Sequence, residues 1–249
     1  MSNALEFVRS AEIGPQPTMA DVEAAGQVST VDVGNLPGGL VVGGTLLDLS
    51  TVQSPNVRSG LSLSLLFASR VASHDSDVTD EDSWLASYQT ALSELGFNLA
   101  GTARLNSSFK KLNVAVHKAI IPFLTIAFGG AGVGPIILAA LNNLNEIDQA
   151  PWITLFDKET RRFNIRELHF GAAVPDGTRT EIRYAVARLN VEQQGTKVLF
   201  FKVTKNTAHF ESMTTRMAAD DSLMAVMEGE LRHRLGPQIK KYIWDAKIS

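Results

Sequence analysis

Residues 120–141 read IIPFLTIAFGGAGVGPIILAAL, and no charged side chain occurs between Lys118 and Glu146. Three structures compete for such a stretch: a membrane hairpin, a glycine loop cradling phosphate, or two core helices joined by a turn. A Walker-type loop needs Lys and Ser/Thr after its last glycine, and Pro135 and Ile136 stand there. A dinucleotide fingerprint starting at Gly130 needs glycine at position 135, which is the same proline. The uncharged span exceeds the roughly 20 residues that cross a bilayer as a helix, but Pro122 and the glycines at 129, 130, 132 and 134 divide it. Asn142, Asn143 and Asn145 follow directly and are costly in lipid without partners. The spacing therefore predicts a buried hairpin: a helix over Leu112–Phe128, a GGAGVG turn, and a second helix over Pro135–Asn145 with proline at its first position. Pro122, Phe123, Phe128, Gly132 and Pro135 mark this hairpin, Pro122 bending the first helix and Gly132 sitting in a crowded turn. Membrane contact by residues 119–141 is the second reading.

Outward from this segment the chain has the proportions of a globular protein. Its 249 residues suffice for one large core, and 45% hydrophobic with 20% charged residues is ordinary for such a fold. The absence of cysteine excludes disulfides, thiolate catalysis and cysteine-held metals. Residues 1–150 carry 14 acidic and 7 basic side chains, and residues 151–249 carry 12 and 16. The second half is thus only weakly basic, too weakly for a nucleic-acid surface. The N-terminal MSNALEFVRSAEIGPQP lacks a basic region followed by an apolar core, which predicts a cytoplasmic protein, with export by a non-classical route left open.

Residues 1–25 show no period and read as an arm, partly disordered, ahead of a single α+β domain over 26–249. VSTVDV and LVVGGTLLDLS read as strands around the turn NLPGG, with Gly43 and Gly44 as a bulge or close backbone approach. Ser54 and Pro55 open a helix with Val57, Leu61, Leu65, Ala68 and Ala72 on one stripe. A second helix carries Trp84, Leu85, Tyr88, Leu92 and Leu95 and stops at Gly96. A short strand fits Asn98–Leu105. Beyond the hairpin, WITLF, RFNIRELHF, RTEIRYAVARLNV and KVLFFKV read as an antiparallel meander over about 151–206, with turns at Asp176-Gly177 and Gln194-Gly195. A helix from Asp220 repeats apolar residues every fourth position through Ile243 and is expected to kink at Gly236-Pro237. The apolar face of the meander should pack on these helices, bringing Trp84, Phe200 and Leu231 together.

Residues with chemical potential form no complete set. The acidic run Asp75, Asp77, Asp80, Glu81 and Asp82 lacks the glycine and glutamate of an EF-hand and reads as the carboxylate-rich start of a helix, Thr79 to Asp82 resembling a capping box. Ser107 and Lys110 have the spacing of a serine nucleophile and its base, without the partner motifs. His74, His117, His169, His209 and His233 are scattered, with no carboxylate at a fixed spacing. Arg162, Arg166, Arg179, Arg183, Arg188 and Lys202 recur within the strands, and alternation places several of them on a face opposite Ile182, Tyr184 and Val186. Such a face is either a solvated exterior or a docking surface for an acidic partner.

TLLDLS, VRSGLSLSLLFASRVA, WLASYQTALSELGF, the meander and the C-terminal helix together resemble the accessory proteins encoded beside bacterial tripartite α-helical pore-forming toxins of the motility-associated killing factor type. The resemblance runs from about Thr45 to Ile243 and carries no catalytic residues. It implies a helper or partner of secreted toxin subunits. The expected function is accordingly a non-enzymatic accessory or interaction protein of a toxin or virulence locus, with no cofactor, no metal and no nucleic acid, whose partner is a toxin subunit or a second copy of itself. A membrane-active protein using the hairpin comes second, and an enzyme third.

Overall fold

The structure is a computed structural model that describes residues 2–14, 31–75, 81–107, 114–130, 132–144, 151–160, 166–189, 199 and 210–246. Its elements in chain order are α1 (Ser2–Ser10), a 3-10 turn (Val33–Asn35), β1 (Gly39–Val42), β2 (Thr45–Asp48), α2 (Pro55–Asp75), α3 (Glu81–Glu94) and β3 (Asn98–Ser107). There follow α4 (Val116–Ala127), α5 (Pro135–Asn142), α6 (Pro151–Glu159), β4 (Arg166–Asp176), β5 (Arg179–Leu189), β6 (Phe210–Asp220), α7 (Asp221–Leu235), α8 (Gln238–Tyr242) and β7 (Ile243–Asp245). The strands form one mixed sheet in the order β3-β6-β5-β4-β2-β1-β7, and β2 with β4 is its parallel pair. The α+β class expected from the sequence is the one observed.

Both faces of the sheet are covered over β4 and β5. Ala173, Ile182, Tyr184, Val186, Met217 and Ala219 enter one core with α1, α2, α3, α7 and α8. Leu168, Phe170, Ala172, Ala185, Ala187 and Leu189 enter a second core with α4, α5 and α6. Successive residues of β4 and β5 therefore serve opposite layers. Trp84 and Leu231 share the first core, as expected, while Phe200 lies outside the described residues.

Several expectations need correction. WITLF is not a strand: Pro151 starts α6, and Trp152, Ile153 and Phe156 form its buried face. Its β-branched and aromatic composition suggested a strand, but the 1-2-5 spacing of its buried side chains is helical. The antiparallel run is β4-β5-β6 over residues 166–220 rather than 151–206. Apart from Leu199, KVLFFKV lies outside the described residues, as does the Gln194-Gly195 turn. Asp176-Gly177 does sit at the β4–β5 turn, where Gly177 has φ +61°. NLPGG is not the turn between the first strands; Asp32 caps a 3-10 turn there, and the hairpin closes at Gly43-Gly44, with φ +53° and +90°. Two consecutive positive φ values are what a two-residue hairpin loop demands.

At the N-terminus, the expected arm is in part a docked helix. Ala4 and Val8 of α1 are buried, and Arg234 donates to the carbonyls of Val8 (2.9 Å) and Ala11 (2.6 Å). Residues 15–25 of that arm lie outside the described residues. At the other end the helix divides rather than bends, with Gly236 at φ +46°, and Ile243 belongs to β7, paired with Val42.

Helix α2 shows why LSLSL is ambiguous. Ser62 and Ser64 are buried along with the leucines because the helix is enclosed on several sides. Small residues let α7 approach closely: Ser59 Oγ donates to Glu228 (3.0 Å), and a Cβ on Gly60 would lie 2.2 Å from the Met224 carbonyl oxygen. Gly60→Ala is therefore expected to lower stability by about 1–3 kcal/mol through overpacking, although alanine is the better helix former. By contrast, a Cβ on Gly132 meets nothing within 4 Å, so that turn is not crowded there, and Gly132→Ala should stay within about 0.5 kcal/mol of the parent. Thermal denaturation of the two variants checks both statements.

Candidate functional site

The segment that opened the sequence reading is a helical hairpin lying on the sheet. Helix α4 buries Val116, His117, Ala119, Ile120, Phe123 and Leu124, and α5 buries Ile137, Leu138, Ala140 and Leu141. Helix α4 ends in a Schellman motif, with Gly130 N–H on the Thr125 carbonyl (2.9 Å) and Gly129 N–H on that of Ile126 (3.0 Å). Gly129 has φ +78°. Gly134, at φ +71°, precedes Pro135, and a Cβ there would lie 2.8 Å from the Phe128 ring. Pro122 falls inside α4 on its exposed side.

Two polar contacts tie the hairpin to the sheet. Asp48, 2% exposed at the end of β2, accepts from the Ile136 N–H (2.8 Å) with one carboxylate oxygen and from the Ser50 N–H (2.9 Å) and hydroxyl (2.6 Å) with the other. Gly134 has no side chain to cap α5, and β2 supplies the carboxylate that the positive helix end favours. At the far end of α4, Arg183 donates to the Phe128 carbonyl and, through Nε, to Glu181 (2.9 Å). The outer face stays open. Lys118, Pro122, Ile126, Pro135, Asn142 and Asn143 are exposed, Ile126 by 72%. Lys118 is the one Lys, Arg, Asp or Glu between residues 114 and 144.

The arginines of the sheet do not form a single basic face. Arg179 and Arg183 lie on the hairpin side, Arg188 on the opposite side with Tyr184 and Val186, and Arg166 opens β4 in register with Leu189. Arg162 and Lys202 lie outside the described residues. The expected solvated exterior of the meander is absent over β4 and β5, where helices cover both faces.

Arg188 instead belongs to a chain of polar groups that sequence reading missed. Its Nε donates to Glu167 (2.7 Å) and its Nη1 to Asp82 (2.8 Å) at the start of α3. Glu167 reaches His169 Nε2 (3.2 Å), and His169 Nδ1 lies 2.5 Å from the Tyr184 hydroxyl. Trp84 packs edge-on against His169 and stacks on Tyr88, closing the chain from the helix side. The signal was present, because Glu167 and His169 are two apart and a strand puts such residues on one face. Burial is the largest influence on the Glu167 carboxyl and works to raise it. His169 and Arg188 together outweigh burial and hold the group below the usual carboxylate range. Asp82, from the acidic run, serves this clamp, and no group of three or more His, Asp or Glu among the described residues is arranged to hold a metal. Lys110, the supposed partner of Ser107, lies outside the described residues, as do His209 and Thr79 of the capping-box motif.

No known protein family matches the chain, and no curated protein does. Among solved structures, a delta-endotoxin is similar over 85% of this chain and 90% of its own, with 16% identity and a TM-score of 0.41. A structure of the Evf virulence factor is similar over 90% and 89%, with 10% identity and a TM-score of 0.37. Both likenesses are distant, and neither transfers a residue role or a mechanism to this chain.

Removing one member of a buried ion pair leaves the other without a counter-charge, at a cost of about 3–5 kcal/mol. Arg188→Met should therefore destabilise the fold by that order in denaturant titration. Because the folded-state Glu167 carboxyl is depressed, its contribution is complete above the ordinary glutamate value of about 4.3 and is lost as pH falls through the lower folded value. The acid limb of the stability curve should accordingly be shallower in Glu167→Gln than in the parent.

Proposed function

We propose that this chain is a non-enzymatic interaction protein of a toxin or virulence system, acting on toxin subunits through the outer face of the α4–α5 hairpin. The observation that carries the proposal is the two-sidedness of that hairpin. Its inner face is committed to the sheet, while its outer face presents Ile126, Pro122 and Pro135 with Lys118 as its single charge. Exposed apolar surface rimmed by polar residues is the physical mark of a contact surface. Toxin subunits as the partner class rest on the sequence resemblance running from Thr45 to Ile243. The paired charges of the sheet support a structural role for these groups: Arg188 bonds Glu167 and Asp82, and Arg183 bonds Glu181 and the Phe128 carbonyl.

A second reading, contact with a lipid surface, draws on the same face, since no acidic residue interrupts it. No helix among the described residues is long and apolar enough to cross a membrane. Lipid contact would therefore be made by the hairpin lying in the interface.

Ile126→Glu tests both readings without disturbing the core, because an exposed substitution costs within about 0.5 kcal/mol. Purified protein mixed with subunits of a tripartite α-helical pore-forming toxin should form a complex on size-exclusion chromatography, and Ile126→Glu should weaken it by about tenfold or more, on the order of 1.4 kcal/mol. Equal complex formation by both forms would overturn the assignment of this face. Leakage of vesicles by the parent alone, lost in the variant, would favour the lipid reading.

A further inference from the structure

Helix α1 belongs to the core on the sheet face away from the hairpin. It packs on α7 and α3, and Phe7 meets Phe67 of α2 edge-on, the ring centroids 6.0 Å apart. Ala4 and Val8, one turn apart, are buried, Leu5 and Phe7 are partly buried, and Asn3, Glu6, Arg9 and Ser10 are exposed. The C-terminal end of a helix leaves carbonyls without partners. Here Arg234 donates from Nε to the Val8 carbonyl and from Nη2 to that of Ala11. The Gly14 N–H donates to the Arg70 carbonyl (3.1 Å), and Gln238 Nε2 donates to the Gly14 carbonyl (3.3 Å). At the rim, Arg9 pairs with Glu230 (3.1 Å).

We propose that the seat of α1 is a helix-docking site, with α1 as its resident occupant and an amphipathic helix of a second protein as the ligand that displaces it. This surface is separate from the outer face of the hairpin and opens only when α1 leaves. Three observations carry it. Helix α1 has 9 residues, below the roughly 12–15 at which a helix sustains itself in water, so it owes its form to the seat and its departure is a local opening. The bonds from Arg234 and Gln238 end on main-chain carbonyls, which a helix end of any sequence presents. The apolar filling is sparse, with an alanine at one of the two buried positions and Leu5 and Phe7 only partly covered. A longer helix with larger apolar side chains removes more area from water and gains in proportion.

The chemistry of the ligand follows from the seat. Helix-in-groove recognition anchors apolar residues three and four apart, as Ala4, Phe7 and Val8 are here. Glu230 favours a basic residue just after the last anchor, the place that Arg9 takes. Arg234 requires open carbonyls in the final turn. The α1 of a second copy is the poorer candidate: it makes the same contacts, and the tethered α1 competes at an effective concentration on the order of mM. The displacing helix is therefore one that binds better than α1, and α1 excludes weaker ones.

The probe is a fluorescein-labelled peptide of residues 2–14, titrated with the full chain and followed by anisotropy. The parent should bind it weakly, because its own α1 holds the seat. Val8→Asp puts a charge on the tethered helix alone and should bind the peptide at least about tenfold tighter than the parent does. Adding Arg234→Met to that variant should reverse the gain, and a scrambled peptide should show none. Equal binding by parent and Val8→Asp, a gain that survives Arg234→Met, or a gain shared by the scrambled peptide overturns the proposal. Global unfolding of Val8→Asp overturns it too, since α1 would then be inseparable from the core. In amide hydrogen exchange of the parent, peptides covering α1 should open at least about tenfold more readily than those covering α2, and equal protection overturns the local opening. A parent that elutes as a dimer, with the dimer lost in Val8→Asp, assigns the seat to a second copy and overturns the assignment to a second protein.

Discussion

Strands β4 and β5 give alternate side chains to two cores, and the rest of the structure is arranged around that double burial. Phe170, Ala185 and Ala187 face the hairpin layer while Ile182, Tyr184 and Val186 face α2, α3 and α7. Strands covered on both sides have no solvated face on which charges can rest. Each charged residue in these strands must reach an edge or find a partner. Arg183 does so with Glu181 and the Phe128 carbonyl, and Arg188 with Glu167 and Asp82.

These pairings join the layers. Asp48 connects β2 to α5, Arg183 connects β5 to the end of α4, and Arg188 connects β5 to the start of α3. Thr180 hydrogen-bonds to Asp221 (2.7 Å) and fixes α7 against β5. Hydrogen bonds involving a charged group contribute about 1.5–3 kcal/mol each, enough to orient a layer whose cohesion comes from apolar burial. The two layers differ in kind. Helix α2 is enclosed and locked to α7 through Gly60, whereas the hairpin has one face in the core and one in solvent. The hairpin is thus the part of the fold that can meet another surface without dismantling the main core.

The functional reading follows from that asymmetry. The Tyr184–His169–Glu167–Arg188 chain under Trp84 is directed inward and ties packed elements together. What faces outward on the hairpin is apolar and nearly uncharged, a surface fit for contact.

Local grammar in the sequence determined the helices that begin and end with strong signals. Ser54-Pro55 opened α2, Gly96 stopped α3, and Pro135 opened α5, because caps, proline and left-handed glycine act within a few residues. The hairpin reading was likewise legible, since proline and glycine divide the apolar run into helix-length pieces. Pattern alone misjudged WITLF, where a buried helix and a buried strand share the same composition, and Ile243, whose four-residue rhythm continued past the Gly236 break. Only the tertiary structure decided that β4 and β5 are buried on both faces, that β2 lies parallel to β4, and which side each arginine takes. Those outcomes depend on which distant segments cover a strand. The partner of Asp48 is 88 residues away and that of Arg188 on α3 is 106, and no local propensity encodes such pairings.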